Sequence, residues 1–176
     1  RGKPEMWTTK PPLLIWSQAL SMKVFGMSEF AVRLPSAIAG MLTCLLLVWF
    51  TKLHFKQPVI GIIASLILVS SPGYLGHHVT RTGDFDALLT LFSHASILLF
   101  YHVVINTSKR HLPFFFMAIV LGVYTKGIAI LIFAPVLFAF LLVQKKGQWM
   151  LSLKQFYIFG FAVILIILAY YVGRNS

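Results

Sequence analysis

A short polar segment between two apolar runs reads Arg81-Thr82-Gly83-Asp84-Phe85-Asp86. On a regular helix, two carboxylates at this spacing point about 200° apart. Both can face one ligand only if at least one lies in the loop before the helix, in a turn that Gly83 permits. A carboxylate there can hold a divalent cation or orient a substrate hydroxyl as a general base. Alternatively, Asp84 is a helix N-cap and Asp86 a favourable acid in the first turn.

Several basic residues, by their type and their positions in the sequence, suggest a site that binds a phosphate. Lys126 interrupts an otherwise uncharged run over residues 112–143. It either snorkels to the membrane interface or faces a polar cavity, where it would suit an anionic lipid head group. Arg81 would pair with a phosphate or with either aspartate. His77 either joins Asp86 at a divalent metal ion (Mg²⁺, Mn²⁺ or Zn²⁺), contacts a phosphate, or is an interfacial polar residue.

The composition indicates that these residues lie in a membrane protein. The chain of 176 residues is 59% hydrophobic and 11% charged, whereas a soluble domain has about 25% charged residues. Apolar runs recur along the whole length and approach the roughly 20 residues that a membrane-spanning helix needs. We therefore predict an all-α integral membrane protein, a polytopic bundle with about six spans plus an interfacial helix. The runs cover residues 34–51, 58–72, 87–105, 112–143 and 155–173.

The chain divides at about residue 29. Residues 1–29 are predicted to form the end of an extracytoplasmic loop with an interfacial helix over 13–26, and residues 30–176 to form transmembrane helices with short loops. A helix is expected to start at Ser28-Glu29. Because 112–143 is too long for one ordinary crossing, we predict two short helices that turn back on each other at Thr125-Lys126-Gly127.

Charge patterning sets the expected orientation. The net charge is +11, but the basic residues lie in short loops between apolar runs, so a nucleic-acid partner is not expected. The loops at 52–56, 109–111 and 144–154 contain lysine and arginine and no acid, which is typical of cytoplasmic loops. All the acids fall on the other side. We therefore expect a multi-pass protein of the plasma (inner) membrane whose site faces the periplasm or outside.

Four motifs, in order, resemble the bacterial branch of the protein O-mannosyltransferase superfamily, which includes the lipid A aminoarabinose transferases. They are Lys10-Pro11-Pro12-Leu13-Leu14-Ile15-Trp16, Glu29-Phe30-Ala31-Val32-Arg33-Leu34-Pro35-Ser36, Arg81-Thr82-Gly83-Asp84-Phe85-Asp86-Ala87-Leu88-Leu89 and Tyr124-Thr125-Lys126-Gly127. Their order and spacing agree with this family over nearly the whole chain.

The resemblance implies a GT-C fold and a specific reaction. A sugar would move from a polyprenyl-phosphate donor to the hydroxyl of a lipid, glycan or protein acceptor on the outer face, with inversion. Lys10, Arg81 and Lys126 would contact the donor phosphate, and Asp86, with Asp84, would belong to the catalytic carboxylate or metal network. Membrane lipids are further expected partners.

Two departures from the family pattern stand out. The lipid A enzymes commonly carry an acid immediately before the lysine of the first motif, where this chain has Thr9. The family's principal catalytic acid lies upstream of that motif, and Glu5 is too close to Lys10 to be it. We therefore expect the chain to be a fragment that lacks the first span and a carboxy-terminal part, and that is inactive alone. A transporter or lipid-binding protein is the alternative, because intramembrane charges suit it equally well.

Overall fold

The computed structural model describes residues 10–75 and 83–175, and the regular elements in these ranges are all helical. Short 3-10 segments cover Lys109–His111 and Gly127–Phe133. The α-helices are α1 (Leu13–Phe25), α2 (Glu29–Phe55), α3 (Pro58–Ser70), α4 (Pro72–Leu75), α5 (Phe85–Asn106), α6 (Leu112–Lys126), α7 (Ala134–Val143), α8 (Lys145–Leu151) and α9 (Lys154–Asn175).

The predicted all-α membrane bundle is confirmed, although fewer segments than six reach spanning length. Among the described residues, 4 segments are long and apolar enough to cross a membrane by length and composition: Glu29–Phe55, Phe85–Asn106, Lys109–Val143 and Lys154–Gly173. The third of these is interrupted by a turn at Gly127. The run that starts at Pro58 falls short because α3 has 13 residues, or about 20 Å of helix. Ser71 is extended, with ψ 128°, as expected of a residue that precedes a proline.

The helix start predicted at Ser28-Glu29 is confirmed. Ser28 is the N-cap of α2, and its hydroxyl accepts a hydrogen bond from the Ala31 N–H at 3.2 Å. Glu29 lies in the first turn, where its charge is favourable to the helix dipole, and it forms an ion pair with Arg33 one turn later. The pair joins the two charged residues in the first two turns of α2.

The long apolar run 112–143 is divided where the sequence predicts, at Lys126 and Gly127. Gly127 has φ 67° and ends α6. The chain then turns back on α6, as shown by the Ile130 side chain, which occupies the space that a Cβ on Gly122 would need. Leu141 near the end of α7 lies in one buried cluster with Phe115 near the start of α6. Thus the segment that follows Gly127 folds back on α6 in a hairpin whose turn carries Lys126.

The bundle separates the charged residues into two ends. At one end, which we call the basic end, His54 Nε2 of α2 lies 3.1 Å from His102 Nδ1 of α5, and Lys146 Nζ donates to the Ile105 carbonyl at 2.8 Å. We call the opposite end the acidic end; it is defined by Lys10, Glu29, Asp84, Asp86 and Lys126. The candidate site residues that the structure describes all lie there.

Candidate functional site

The acidic turn that precedes α5 places its two carboxylates differently. Gly83 has φ 72°, a conformation that glycine adopts without steric cost. Asp84 is the N-cap of α5, and its Oδ1 accepts a hydrogen bond from the Phe85 N–H at 2.7 Å. Asp86 lies in the first turn of the helix. Asp84 therefore occupies the helix-cap position that was the alternative to a ligand-binding role, and Asp86 is the acid within the helix.

Asp86 is bound by the lysine at the hairpin turn. Lys126 Nζ donates to Asp86 Oδ1 in an ion pair that joins the N-terminus of α5 to the C-terminus of α6. Both side chains are partly exposed, Lys126 by 37% and Asp86 by 32%. An ammonium group has three donors, so Lys126 can hold Asp86 and still donate to a ligand.

Lys10 reaches the same turn from the other side. Its Nζ lies 4.0 Å from Asp84 Oδ1 and 4.6 Å from the centre of the Phe85 ring. Both contacts favour a cation at this position. The structure thus brings together Lys10, Asp84, Asp86 and Lys126, from three separate sequence motifs, at the start of one helix.

Two predicted site residues, Arg81 and His77, lie outside the described residues. Within the described ranges, no group of three or more histidine, cysteine, aspartate or glutamate side chains is placed to hold a metal ion. Asp86, the predicted metal ligand that is described, instead contacts an ammonium group. The described residues therefore do not fit a metal centre by themselves.

Two side chains that were not predicted as site residues, Gln18 and Ser36, hold the acidic turn in place. Gln18 Nε2 donates to the carbonyls of Gly83, at 2.8 Å, and Val32, at 3.2 Å. Ser36 Oγ donates to the Asp84 carbonyl at 3.1 Å. The sequence does contain a signal for these contacts, since Gln18 and Ser36 are polar residues inside apolar helices. Such a residue needs a hydrogen-bond partner where its helix packs against a neighbour.

The hairpin turn also has a neighbour that the sequence did not predict. A Cβ at Gly127 would lie 3.0 Å from the Tyr171 hydroxyl oxygen of α9. With φ 67° and ψ −141°, Gly127 adopts a conformation that is almost restricted to glycine. The backbone conformation therefore requires glycine after Lys126, and a Cβ at this position would also press against Tyr171.

We expect Gly127→Ala to lower the free energy of unfolding by about 1–3 kcal/mol, because alanine is strained at this φ and ψ. Thermal unfolding of the full-length protein in detergent measures the effect. Gly160→Ala in α9 is the matched control, because its Cβ would make only an ordinary contact, 3.8 Å from Phe116. Equal melting temperatures for the two variants would show that the chain does not need this turn.

An apolar groove of about 410 Å³ lies beside the charged cluster, between α1, α2 and α5. Its wall on α5 begins at Leu88, one turn after Asp84, and continues to Phe92. A second cavity of about 380 Å³ shares Leu42, Leu91 and Phe92 with it and extends to Trp49. The groove therefore runs from the acidic end along the seam between α2 and α5.

Comparison with known proteins identifies the family. The model of the dolichyl-phosphate-mannose-protein mannosyltransferase family matches residues 9–172. An undecaprenyl phosphate-alpha-4-amino-4-deoxy-L-arabinose arabinosyl transferase of Aeromonas salmonicida is 29% identical over 142 residues, which are 78% of this chain and 26% of that protein. The putative mannosyltransferase YkcB of Bacillus subtilis is 29% identical over 138 residues, 78% of this chain and 19% of that protein.

A second arabinosyl transferase of this description, from Proteus mirabilis, is 30% identical over 147 residues, 81% of this chain and 26% of that protein. The chain thus spans about a quarter of the length of these relatives. No solved structure matches it significantly. The family match covers every motif quoted from the sequence and nearly every helix described above, and this chain belongs to the dolichyl-phosphate-mannose-protein mannosyltransferase family.

Proposed function

We propose that the protein is a membrane glycosyltransferase that transfers a sugar from a polyprenyl-phosphate donor to an acceptor hydroxyl. The observation that carries this proposal is the convergence of Lys10 and Lys126 on one acidic turn. Names of two relatives support the donor class and the reaction, since they specify an undecaprenyl phosphate-linked sugar and a mannosyl transfer.

The chemistry of this transfer makes two cations useful. The acceptor oxygen attacks the anomeric carbon and the bond between that carbon and the phosphate oxygen breaks, so the polyprenyl phosphate leaves with the electron pair. The hydroxyl proton passes to a carboxylate base, for which the family resemblance implies an acid upstream of Lys10. Negative charge grows on the phosphate as the bond breaks, and ammonium groups at that position stabilise the transition state. We assign this role to Lys10 and Lys126.

Asp84 and Asp86 take supporting roles in this proposal. Asp86 holds the Lys126 ammonium at the start of α5, and Asp84 caps that helix within 4.0 Å of Lys10. Arg81 is proposed as a third phosphate contact and His77 as a metal ligand, but both lie outside the described residues. A divalent metal stays a prediction from the sequence, and no step above uses one.

The apolar groove suits the hydrocarbon part of such a donor. Along α2 it extends from Leu34 to Trp49, which corresponds to about 22 Å of helix. Its walls are almost entirely apolar, and the part of the groove nearest the acidic end lies one helical turn from the charged cluster. A phosphate at the lysines and an isoprenoid chain in the groove would match a ligand with one charged end and one apolar end.

The direct test is transfer by the purified full-length protein in lipid vesicles with radiolabelled polyprenyl-phosphate sugars. We expect label to move to a lipid, glycan or protein fraction in a manner that depends on the donor. Tight binding of the donor with no transfer to any fraction would instead support the lipid-binding alternative. Movement of the intact donor from the vesicle interior to the outside solution would support a transporter.

We further propose that the acidic end faces the periplasm or outside and that the basic end faces the cytoplasm of a plasma (inner) membrane. Single cysteines at Met27, which is 93% exposed at the acidic end, and at Lys109, exposed at the basic end, test this in a background with Cys44→Ser. An impermeant thiol reagent applied to intact cells should label position 27 and leave position 109 unlabelled. The reverse labelling pattern would overturn the orientation.

A further inference from the structure

Gln18 joins three segments of the chain at the acidic end. It lies on α1, and its single amide nitrogen donates both of its hydrogens: to the Gly83 carbonyl in the acidic turn, at 2.8 Å, and to the Val32 carbonyl in α2, at 3.2 Å. Both partners are acceptors only, so the amide nitrogen rather than the amide oxygen must face them. The two hydrogen bonds therefore fix the orientation of the amide.

The turn that Gln18 holds is tightly packed. A Cβ at Gly83 would lie 3.0 Å from the Val32 carbonyl oxygen and 3.2 Å from Gln18 Nε2. On the other side of the turn, the fully buried Ser36 donates to the Asp84 carbonyl at 3.1 Å. Two side-chain hydrogen bonds thus act on the consecutive carbonyls of Gly83 and Asp84, next to the two carboxylates that contact the lysines.

Gln18 affects the proposed phosphate site through its own helix and through its hydrogen bond to Gly83. On its own helix, α1 begins three residues after Lys10, so the placement of α1 sets where Lys10 approaches the turn. Across the bond to Gly83, the same residue sets the start of α5, which carries Asp84 and Asp86. A shift of α1 relative to α5 would change the Lys10–Asp84 separation of 4.0 Å directly.

We propose that Gln18 is a positioning residue for the donor site: it fixes α1 against the acidic turn, so that Lys10 and the Asp86–Lys126 pair face the donor phosphate together. Ser36 supports the same turn from α2. This inference rests on the proposed function for its kinetic consequence, but its structural consequence can be measured separately.

The test uses the full-length protein in lipid nanodiscs with three substitutions at one position. Gln18→Met keeps the approximate length without a donor, Gln18→Glu presents only acceptors to the two carbonyls, and Gln18→Lys restores donors. Ser152→Ala is the control, because the Ser152 hydroxyl donates to the Trp149 carbonyl of the short helix α8 that it caps, at 2.7 Å, away from the groove and the charged cluster.

We expect kcat/KM for the donor to fall about tenfold in Gln18→Met, as the loss of two neutral hydrogen bonds would give, and further in Gln18→Glu. Gln18→Lys should lie closer to the wild type than Gln18→Met, and KM for the acceptor should change little. Hydrogen–deuterium exchange should become faster over residues 83–92 in Gln18→Met and stay unchanged over 112–126. Ser152→Ala should match the wild type in every measurement.

The outcomes separate this inference from the proposed function. A wild-type protein that transfers no sugar contradicts the proposed function, while exchange over 83–92 still tests the positioning. Unchanged donor kinetics and unchanged exchange in Gln18→Met would overturn the inference, as would lower stability with donor kinetics like the wild type. If Gln18→Met does not fold, Ser36→Ala removes one bond from the same turn, and the same two measurements decide.

Discussion

Asp86→Asn is expected to lower kcat/KM for sugar transfer by the full-length enzyme about a hundredfold. Asparagine keeps the size of the side chain and removes the charge that holds Lys126. The Lys126 ammonium would then lose its partner at the start of α5, and the proposed phosphate contact would lose its position. Steady-state kinetics with a radiolabelled polyprenyl-phosphate sugar measure the effect, and expression should stay at the wild-type level.

Asp84→Asn is the matched control for this prediction. Asparagine is as good an N-cap as aspartate, so the start of α5 is preserved. The Lys10 contact that is lost is long, at 4.0 Å, and half of the Lys10 side chain is exposed. We expect a fall in kcat/KM of about tenfold or less, since exposed ion pairs contribute about 1 kcal/mol at most. An inactive Asp84→Asn together with an active Asp86→Asn would reverse the assignment of the two acids.

The second large effect is expected for Lys126→Met. Methionine keeps the length and the apolar stem but deletes the charge. A charge-assisted hydrogen bond contributes about 1.5–3 kcal/mol, so loss of a phosphate contact should lower kcat/KM by about ten- to over a hundredfold. Donor binding and the chemical step should weaken together, because the phosphate belongs to the donor and is also the leaving group. Acceptor affinity should change less.

Two further variants, one a parallel test and one a control, are needed to interpret the result for Lys126→Met. Lys10→Met should show the same type of defect, because Lys10 reaches the same turn. Lys109→Met at the basic end, where the side chain is exposed, should leave donor kinetics unchanged. Wild-type donor kinetics in both Lys10→Met and Lys126→Met would make these lysines interfacial anchors and place the phosphate site elsewhere.

Much of the helical framework follows from local sequence signals. Ser28 before an acid predicts the start of α2, and a lone lysine followed by glycine in a long apolar run predicts the turn between α6 and α7; both agree with the structure. These signals are local because capping and backbone conformation depend on a few neighbouring residues. The same applies to Asp84, whose role as a helix cap was one of two alternatives.

The contacts that assemble the site were not predictable in the same way. The Asp86–Lys126 pair joins residues 40 positions apart, and the Gln18–Gly83 bond joins residues 65 positions apart. No periodicity in the sequence specifies which helix faces which at that separation. The seven-residue helix α8, within a loop predicted only as basic, likewise packs against α5 and α7.

The central claim is that Asp86 and Lys126 act as one unit on the donor phosphate, and a double-mutant cycle tests it most directly. The measurement is kcat/KM for a polyprenyl-phosphate sugar in the full-length wild type, Asp86→Asn, Lys126→Met and the double variant. Because the Asp86–Lys126 contact is direct, we expect kcat/KM of the double variant to be no more than a fewfold below that of the less active single variant. This result corresponds to strong coupling between the two residues. Effects that multiply, so that the double variant loses the product of the two single losses, would contradict the account.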